Sequence, residues 1–207
     1  MLNIVQHSMT RTVLHLHLLV FVLATFFLNP VSTQAIGNFD GTFSFEDFRQ
    51  SVQNGEANVL RGVYVHNVLE LPVVQQPADR PYYVSNRNGE ATQFGMVSQY
   101  GNIGLLAHNT LSGKFFSRLS LGQEVSLLYG DGRVEYFVIK HILRFQALDP
   151  ESVLSRFRNL DRNEIISAGE MFNRVYGGEH RLVLQTCIEA NGNVSWGRLF
   201  VIALPRE

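Results

Sequence analysis

The sequence predicts an all-β domain whose strands close, or nearly close, into an antiparallel barrel. Strand-like runs recur from Val59 to Leu204 with turn signals between them. Gly130-Asp131-Gly132 and Asn191-Gly192-Asn193 each sit between two such runs, as hairpin turns do. The runs are too many and too evenly spaced for a parallel α/β sheet. A barrel is the natural way to hide the edges of so many short strands.

In chain order, Ser44 opens a short N-terminal helix. Ser44 and Asp47 make a capping pair, Phe45, Phe48 and Val52 share one face, and Asn54-Gly55 ends it. Strands are then expected at Val59–Val65, Leu69–Gln75 and Tyr82–Ser85, with a turn over Asn86–Gly89. Gln93–Gln99 and Ile103–Ala107 follow, separated by Tyr100-Gly101-Asn102. Gln123–Tyr129 and Glu135–Phe145 flank the first hairpin turn; Arg181–Glu189 and Trp196–Leu204 flank the second. Between these hairpins, residues 149–177 read as a helical insertion. Asp149-Pro150 starts it, and Val153, Leu154 and Phe157 supply a stripe. Asp161 and Glu164 make a second cap, Ile165, Ala168, Phe172 and Val175 recur at helical spacing, and Gly177 stops it.

Three segments follow from this reading. Residues 1–35 are a targeting segment, 36–58 an N-terminal helical extension, and 59–207 the barrel. Residues 1–35 carry one charge, Arg11. Val13–Leu28 has no formal charge, and as a helix its 16 residues span about 24 Å, short of a ~30 Å hydrocarbon core. Asn29-Pro30 breaks such a helix, and Thr33-Gln34-Ala35 suits cleavage of a signal peptide. The rival is an uncleaved anchor held in the membrane through residues 13–28. A buried core helix would show a polar stripe, which this segment lacks. Either reading exports residues 36–207, leaving the domain extracytoplasmic, membrane-anchored or secreted.

Composition narrows the function. Hydrophobic content of 45%, with 15 Phe and 7 Tyr, excludes disorder as the main state. The net charge is −1 and no basic block is present, so no nucleic-acid partner is expected. One cysteine, Cys187, excludes an intrachain disulfide and any zinc site with two thiolates. The histidines have no metal-ligand spacing, so neither a metal nor another cofactor is expected. An exported chain with a single thiol is unusual, because exported cysteines are generally paired.

Cys187 ends the run Leu182-Val183-Leu184-Gln185-Thr186-Cys187. Alternation puts Leu182, Leu184 and Thr186 towards the core and Val183, Gln185 and Cys187 on the other face. A nucleophilic thiol needs access and an electropositive neighbour. Arg198 lies beyond the Asn191–Asn193 turn, and an antiparallel hairpin carries it and Trp196 back beside Cys187. An arginine there can donate to a developing oxyanion. His108 ends the apolar run Gly104–Ala107 just before a polar turn, where it can carry a proton. His7, His15 and His17 fall in the targeting segment, and His66, His141 and His180 lack that junction. Each of these residues alone also fits a purely structural role.

Together they resemble a known family. Leu184-Gln185-Thr186-Cys187 matches the L-x-T-C signature of sortases, the cysteine transpeptidases of bacterial surfaces. Arg198 matches the arginine of the following strand, and Ala107-His108 the upstream G/A-H motif. Phe115 to Leu119 and Leu121 to Val125 resemble the family's F-x-x-L-x-x-L-x-x-G-D-x-V segment, with a shorter spacer and Gln123-Glu124 after the glycine. The likeness runs from about Val59 to Leu204. It implies an eight-stranded sortase-type β-barrel with a helix in the insertion. It implies Cys187 as nucleophile, His108 as general acid/base and Arg198 as stabiliser of oxyanion and substrate, with Trp196 lining the substrate groove or covering the barrel. It further implies a sorting-type peptide and an amine acceptor as partners, and a retained N-terminal anchor. No acid cluster matches the calcium site of some relatives. A thioester-forming peptidase that only hydrolyses, and an inactive exported binding barrel, are the alternatives.

Overall fold

The described residues are 44–207 of a computed structural model, so the expectations for residues 1–35, and for the extension before Ser44, lie outside them. Helix α1 (Phe45–Val52) has the capping box expected of Ser44 and Asp47. Its Phe48 and Val52 lie on Gly62, where a Cβ would meet both at 3.1–3.2 Å. Phe45 and Phe48 also pack against Tyr64, with ring centroids 5.1 and 6.2 Å away. The helix end is tied to the sheet: the Asn54 and Gly55 N–H groups both donate to the Gly130 carbonyl, at 3.0 and 2.7 Å.

Ten strands follow. They are β1 (Leu60–Val65), β2 (Leu69–Gln75), β3 (Ala91–Gln93), β4 (Ile103–Leu106), β5 (Glu124–Tyr129) and β6 (Val134–Ala147), then β7 (Phe157–Asn159), β8 (Ile165–Ile166), β9 (Leu182–Ala190) and β10 (Asn193–Pro205). Two short helices, α2 (Gly95–Ser98) and α3 (Ala168–Tyr176), and a 3₁₀ turn over Ser112–Arg118 complete the elements. Hydrogen-bonded neighbours run β10-β9-β4-β3-β2-β1-β5-β6, and β6 pairs with β10 again. That closes an eight-stranded barrel. β7 and β8 extend the sheet from β6 outside the ring.

The ring is mixed. β2–β3 and β4–β9 are parallel, and the remaining pairings are antiparallel. The purely antiparallel expectation fails where a long connection returns the chain in the same direction. Residues 76–90 make one such connection. The strand expected at Tyr82–Ser85 does not form, because Gln76 folds the loop back: its Nε2 donates to the Pro81 and Tyr83 carbonyls, each at 2.9 Å. The strand expected over Gln93–Gln99 ends at Gln93. Phe94 N–H donates to the Gly104 carbonyl (2.8 Å), and Val97 of α2 is buried.

Two apolar layers sit on either side of the wall formed by β4, β9, β10 and β6. The barrel interior holds Leu60, Val63, Leu105, Phe116, Leu127, Phe137, Leu184 and Val201. The outer layer holds Phe145, Phe157, Ile166, Val175, Tyr176, Val183, Phe200 and Ile202 under α3 and the β7–β8 hairpin.

The segment 149–177 is helical only over Ala168–Tyr176. Val153 and Leu154 are 75% and 81% exposed, so the expected stripe does not exist. The chain turns back instead: Leu148 N–H donates to the Arg156 carbonyl at 2.9 Å, and Asp149 N–H to Ser155 Oγ at 3.0 Å. Phe157 and Ile166 are buried as facing partners of a strand pair. Asp161 and Glu164 do not cap a helix. Asn159 Oδ1 accepts the Asp161 N–H (2.9 Å), and Glu164 pairs with Arg174 (2.7 Å). The true cap is the box of Ser167 and Glu170, and Gly177 follows the helix as expected.

Candidate active site

The site lies where β4 ends beside the middle of β9, near the start of β10. The β9–β10 turn has Asn191 and Gly192 at φ 54° and 75°, the positive values a type I′ hairpin needs. Pairing from this turn sets Arg198 directly opposite Cys187. Leu182 and Leu184 belong to the interior layer and Val183 to the outer one. Alternation therefore puts Gln185 and Cys187 on the outer face. Leu199 and Val201 point inward and Phe200 and Ile202 outward, so Arg198 shares that face. Cys187 is a free thiol and half-buried.

His108 follows β4 by two residues. That strand runs parallel to β9, with Leu106 paired to Gln185. Ala107 N–H donates to the Gln185 carbonyl at 3.2 Å, carrying the ladder one residue past the strand. Ile103, Leu105 and Ala107 are interior residues, and His108 lies two residues past the last β4–β9 pair, Leu106 with Gln185, as Cys187 does on β9. The imidazole-bearing residue is half-buried. Thus Cys187 and Arg198 lie on the neighbouring strands β9 and β10, and His108 follows β4, the strand on the other side of β9.

Three details hold this end together. Thr186, inside the barrel, donates from Oγ1 to the Ala107 carbonyl at 2.8 Å and so fixes the residue before His108. Gly113 lies against both: a Cβ there would be 2.6 Å from the Ala107 oxygen and would collide with Thr186 Oγ1. Its N–H donates to the His108 carbonyl at 2.9 Å. Asn109 Nδ2 donates to the Val194 carbonyl at 3.0 Å, joining the histidine loop to the start of β10.

The β10 start is irregular, with a register shift between Asn193 and Gly197. Asn193 Oδ1 accepts the Ser195 N–H at 2.7 Å. Arg198 Nη1 donates to the Ser195 and Gly197 carbonyls, both at 2.9 Å. One edge of the guanidinium is thereby fixed, and Nε and Nη2 have no partner among the described residues. Gly197 is required because a Cβ would lie 2.5 Å from the Phe145 carbonyl oxygen. Trp196 falls within the shifted stretch and is half-buried, so simple alternation does not decide its direction.

The sequence pointed to Cys187, His108 and Arg198. It gave no sign of Asn109, beyond its place in a polar turn, or of Gly113. Among the described residues no group of three His, Cys, Asp or Glu could hold a metal ion, and no helix is long and apolar enough to cross a membrane.

No family model and no curated protein matches the chain. Solved structures with a similar fold do exist. Sortase A of Listeria monocytogenes is 13% identical, with a TM-score of 0.46 over 72% of this chain and 88% of that one. A lid mutant of Streptococcus agalactiae sortase C1 is 15% identical, with a TM-score of 0.46 over 73% and 72%. The Clostridium perfringens sortase D5 transpeptidase is 14% identical, with a TM-score of 0.43 over 80% and 91%. The closed ring is established by the strand pairings themselves, and in fold it is similar to these sortases.

Proposed function

We propose that the chain is an exported sortase-like cysteine transpeptidase. It cleaves a sorting-type peptide through a thioester on Cys187 and transfers the acyl group to an amine. The observation that supports this most directly is the cross-strand pair of Cys187 and Arg198, with His108 two residues beyond β4, the other neighbour of β9. In this reading residues 1–35 carry the domain out of the cytoplasm, cleaved or retained as an anchor, and Trp196 lines the substrate groove.

The Cys187 thiolate attacks the scissile carbonyl carbon, and the carbonyl π electrons move onto oxygen. Arg198 is anchored through Nη1, and its remaining N–H donors stabilise that oxyanion. Collapse breaks the C–N bond, and His108 gives a proton to the departing amine. The product is a thioester. An incoming amine then attacks it, His108 takes up the amine's proton, and a new amide forms as the thiolate leaves.

Intact-mass spectrometry tests this with the purified chain and a peptide library. The expected adduct on Cys187 disappears in Cys187→Ala. Turnover that persists in Cys187→Ala sinks the proposal. Adding an amine should divert product from acid to amide; acid alone in its presence would mean a hydrolase. Alkylation of Cys187 without any acyl adduct would leave a binding barrel.

A further inference from the structure

Exposure rises along the outer face of β9. Val183 is buried under α3, whereas Gln185 and Cys187 are only half-buried. The cover therefore ends at Gln185, and the open floor consists of Gln185 and Cys187. Gln185 lies two residues before the thiol on the same face, about 7 Å away along an extended strand. Its register partners are Leu106 on β4 and Phe200 on β10, so apolar side chains flank it.

Gln185 is held in one orientation. Tyr176, at the end of α3, is buried and donates its hydroxyl hydrogen to Gln185 Oε1. Phe94, Phe172 and Phe200 fix the tyrosine ring, with centroids 5.8, 5.1 and 6.2 Å away. With Oε1 taken by the phenol, the amide presents Nε2, which has two hydrogens to donate and no partner among the described residues. An oriented donor between apolar walls recognises an acceptor and gains little from an aliphatic group.

We propose that Gln185 is a specificity-determining residue. Its Nε2 donates to a hydrogen-bond acceptor carried by a substrate side chain within two residues of the scissile carbonyl. The preferred peptides are those with Asn, Gln, Asp, Glu, Ser or Thr at that position in place of Leu or Val. This deepens the transpeptidase reading and rests on it.

The test is a position-scanned peptide library, read as acyl adduct on Cys187 by mass spectrometry, with wild type, Gln185→Leu, Gln185→Glu and Tyr176→Phe. Wild type should favour acceptor side chains about fivefold to tenfold at one position, the worth of one neutral hydrogen bond. Gln185→Leu should shift the preference to aliphatic residues. The isosteric Gln185→Glu, which cannot donate when ionised, should reject Asp and Glu there. Tyr176→Phe should blunt the preference by freeing the amide to turn. An aliphatic preference in wild type, or an unchanged profile in both Gln185 variants, overturns the inference while leaving the transpeptidase intact. If wild type forms no adduct with any peptide although iodoacetamide alkylates Cys187, the transpeptidase reading itself fails, and this inference with it.

Discussion

Thr186 shows how a residue of the sequence motif can serve the structure from inside the barrel. It precedes Cys187 and must point the opposite way, into the barrel. There its hydroxyl satisfies the carbonyl of Ala107, next to His108. Thr186→Val keeps the shape and removes the donor, leaving that carbonyl unpaired in the core. We expect a loss of about 1–3 kcal/mol in denaturant unfolding. Acylation should slow as well, because the histidine loop loses its tether. Gly113→Ala drives a Cβ into the same two groups and should destabilise to a similar degree. An unchanged unfolding midpoint in both variants would show that this end of the barrel is not held as described. The opposite facing of Thr186 and Cys187 was legible from alternation alone. The need for glycine at position 113 was not, since it depends on a carbonyl and a hydroxyl brought in by other strands.

At the scale of elements, what could be read was local. The Ser44 box, the Asn191-Gly192 turn and the return of Arg198 to Cys187 each depend on residues within one hairpin or one helical turn. The segment 149–166 misled because its apolar residues fit a 3.6-residue period by spacing, yet pairing of β7 with β6 selects Phe157, pairing of β8 with β7 selects Ile166, and Val153 and Leu154 are left outside. Periodicity in one segment cannot report a neighbour that offers a free strand edge. The one helix within 149–177, α3, has a full capping box, and Ser167→Ala should cost about 1 kcal/mol in thermal or denaturant melts. The link between the histidine loop and the start of β10 is a different kind of contact, an exposed bond bridging residues 85 apart in sequence. Asn109→Ala removes it. Acylation should fall about fivefold with little change in the melting midpoint, because the bond aligns two loops and supports no core. A rate equal to wild type would show that the loops hold their alignment without it.

For the molecule as a whole, closure is the feature that sequence reading reaches only by general argument. β1 with β5, β4 with β9 and β6 with β10 pair across long separations, and no local signal names those partners. The closed wall has a consequence at alkaline pH. Tyr129, on β5 opposite Leu60 of β1, donates its hydroxyl to Glu135 at 2.9 Å. Burial first, and then that carboxylate, push its phenol up to about 12. Burial alone also raises Tyr176. An unfolded tyrosine ionises near 10. Below that pH both states hold the proton and these tyrosines contribute no pH dependence. Above it the unfolded chain loses protons that the folded barrel keeps, so stability falls as pH rises from about 10 towards 12. Urea midpoints across this range should drop steadily, and Tyr129→Phe should make the decline shallower. Phenolate absorbance should rise together with unfolding for the buried rings. A flat midpoint through this interval would mean that neither tyrosine is sealed in the wall as the fold requires.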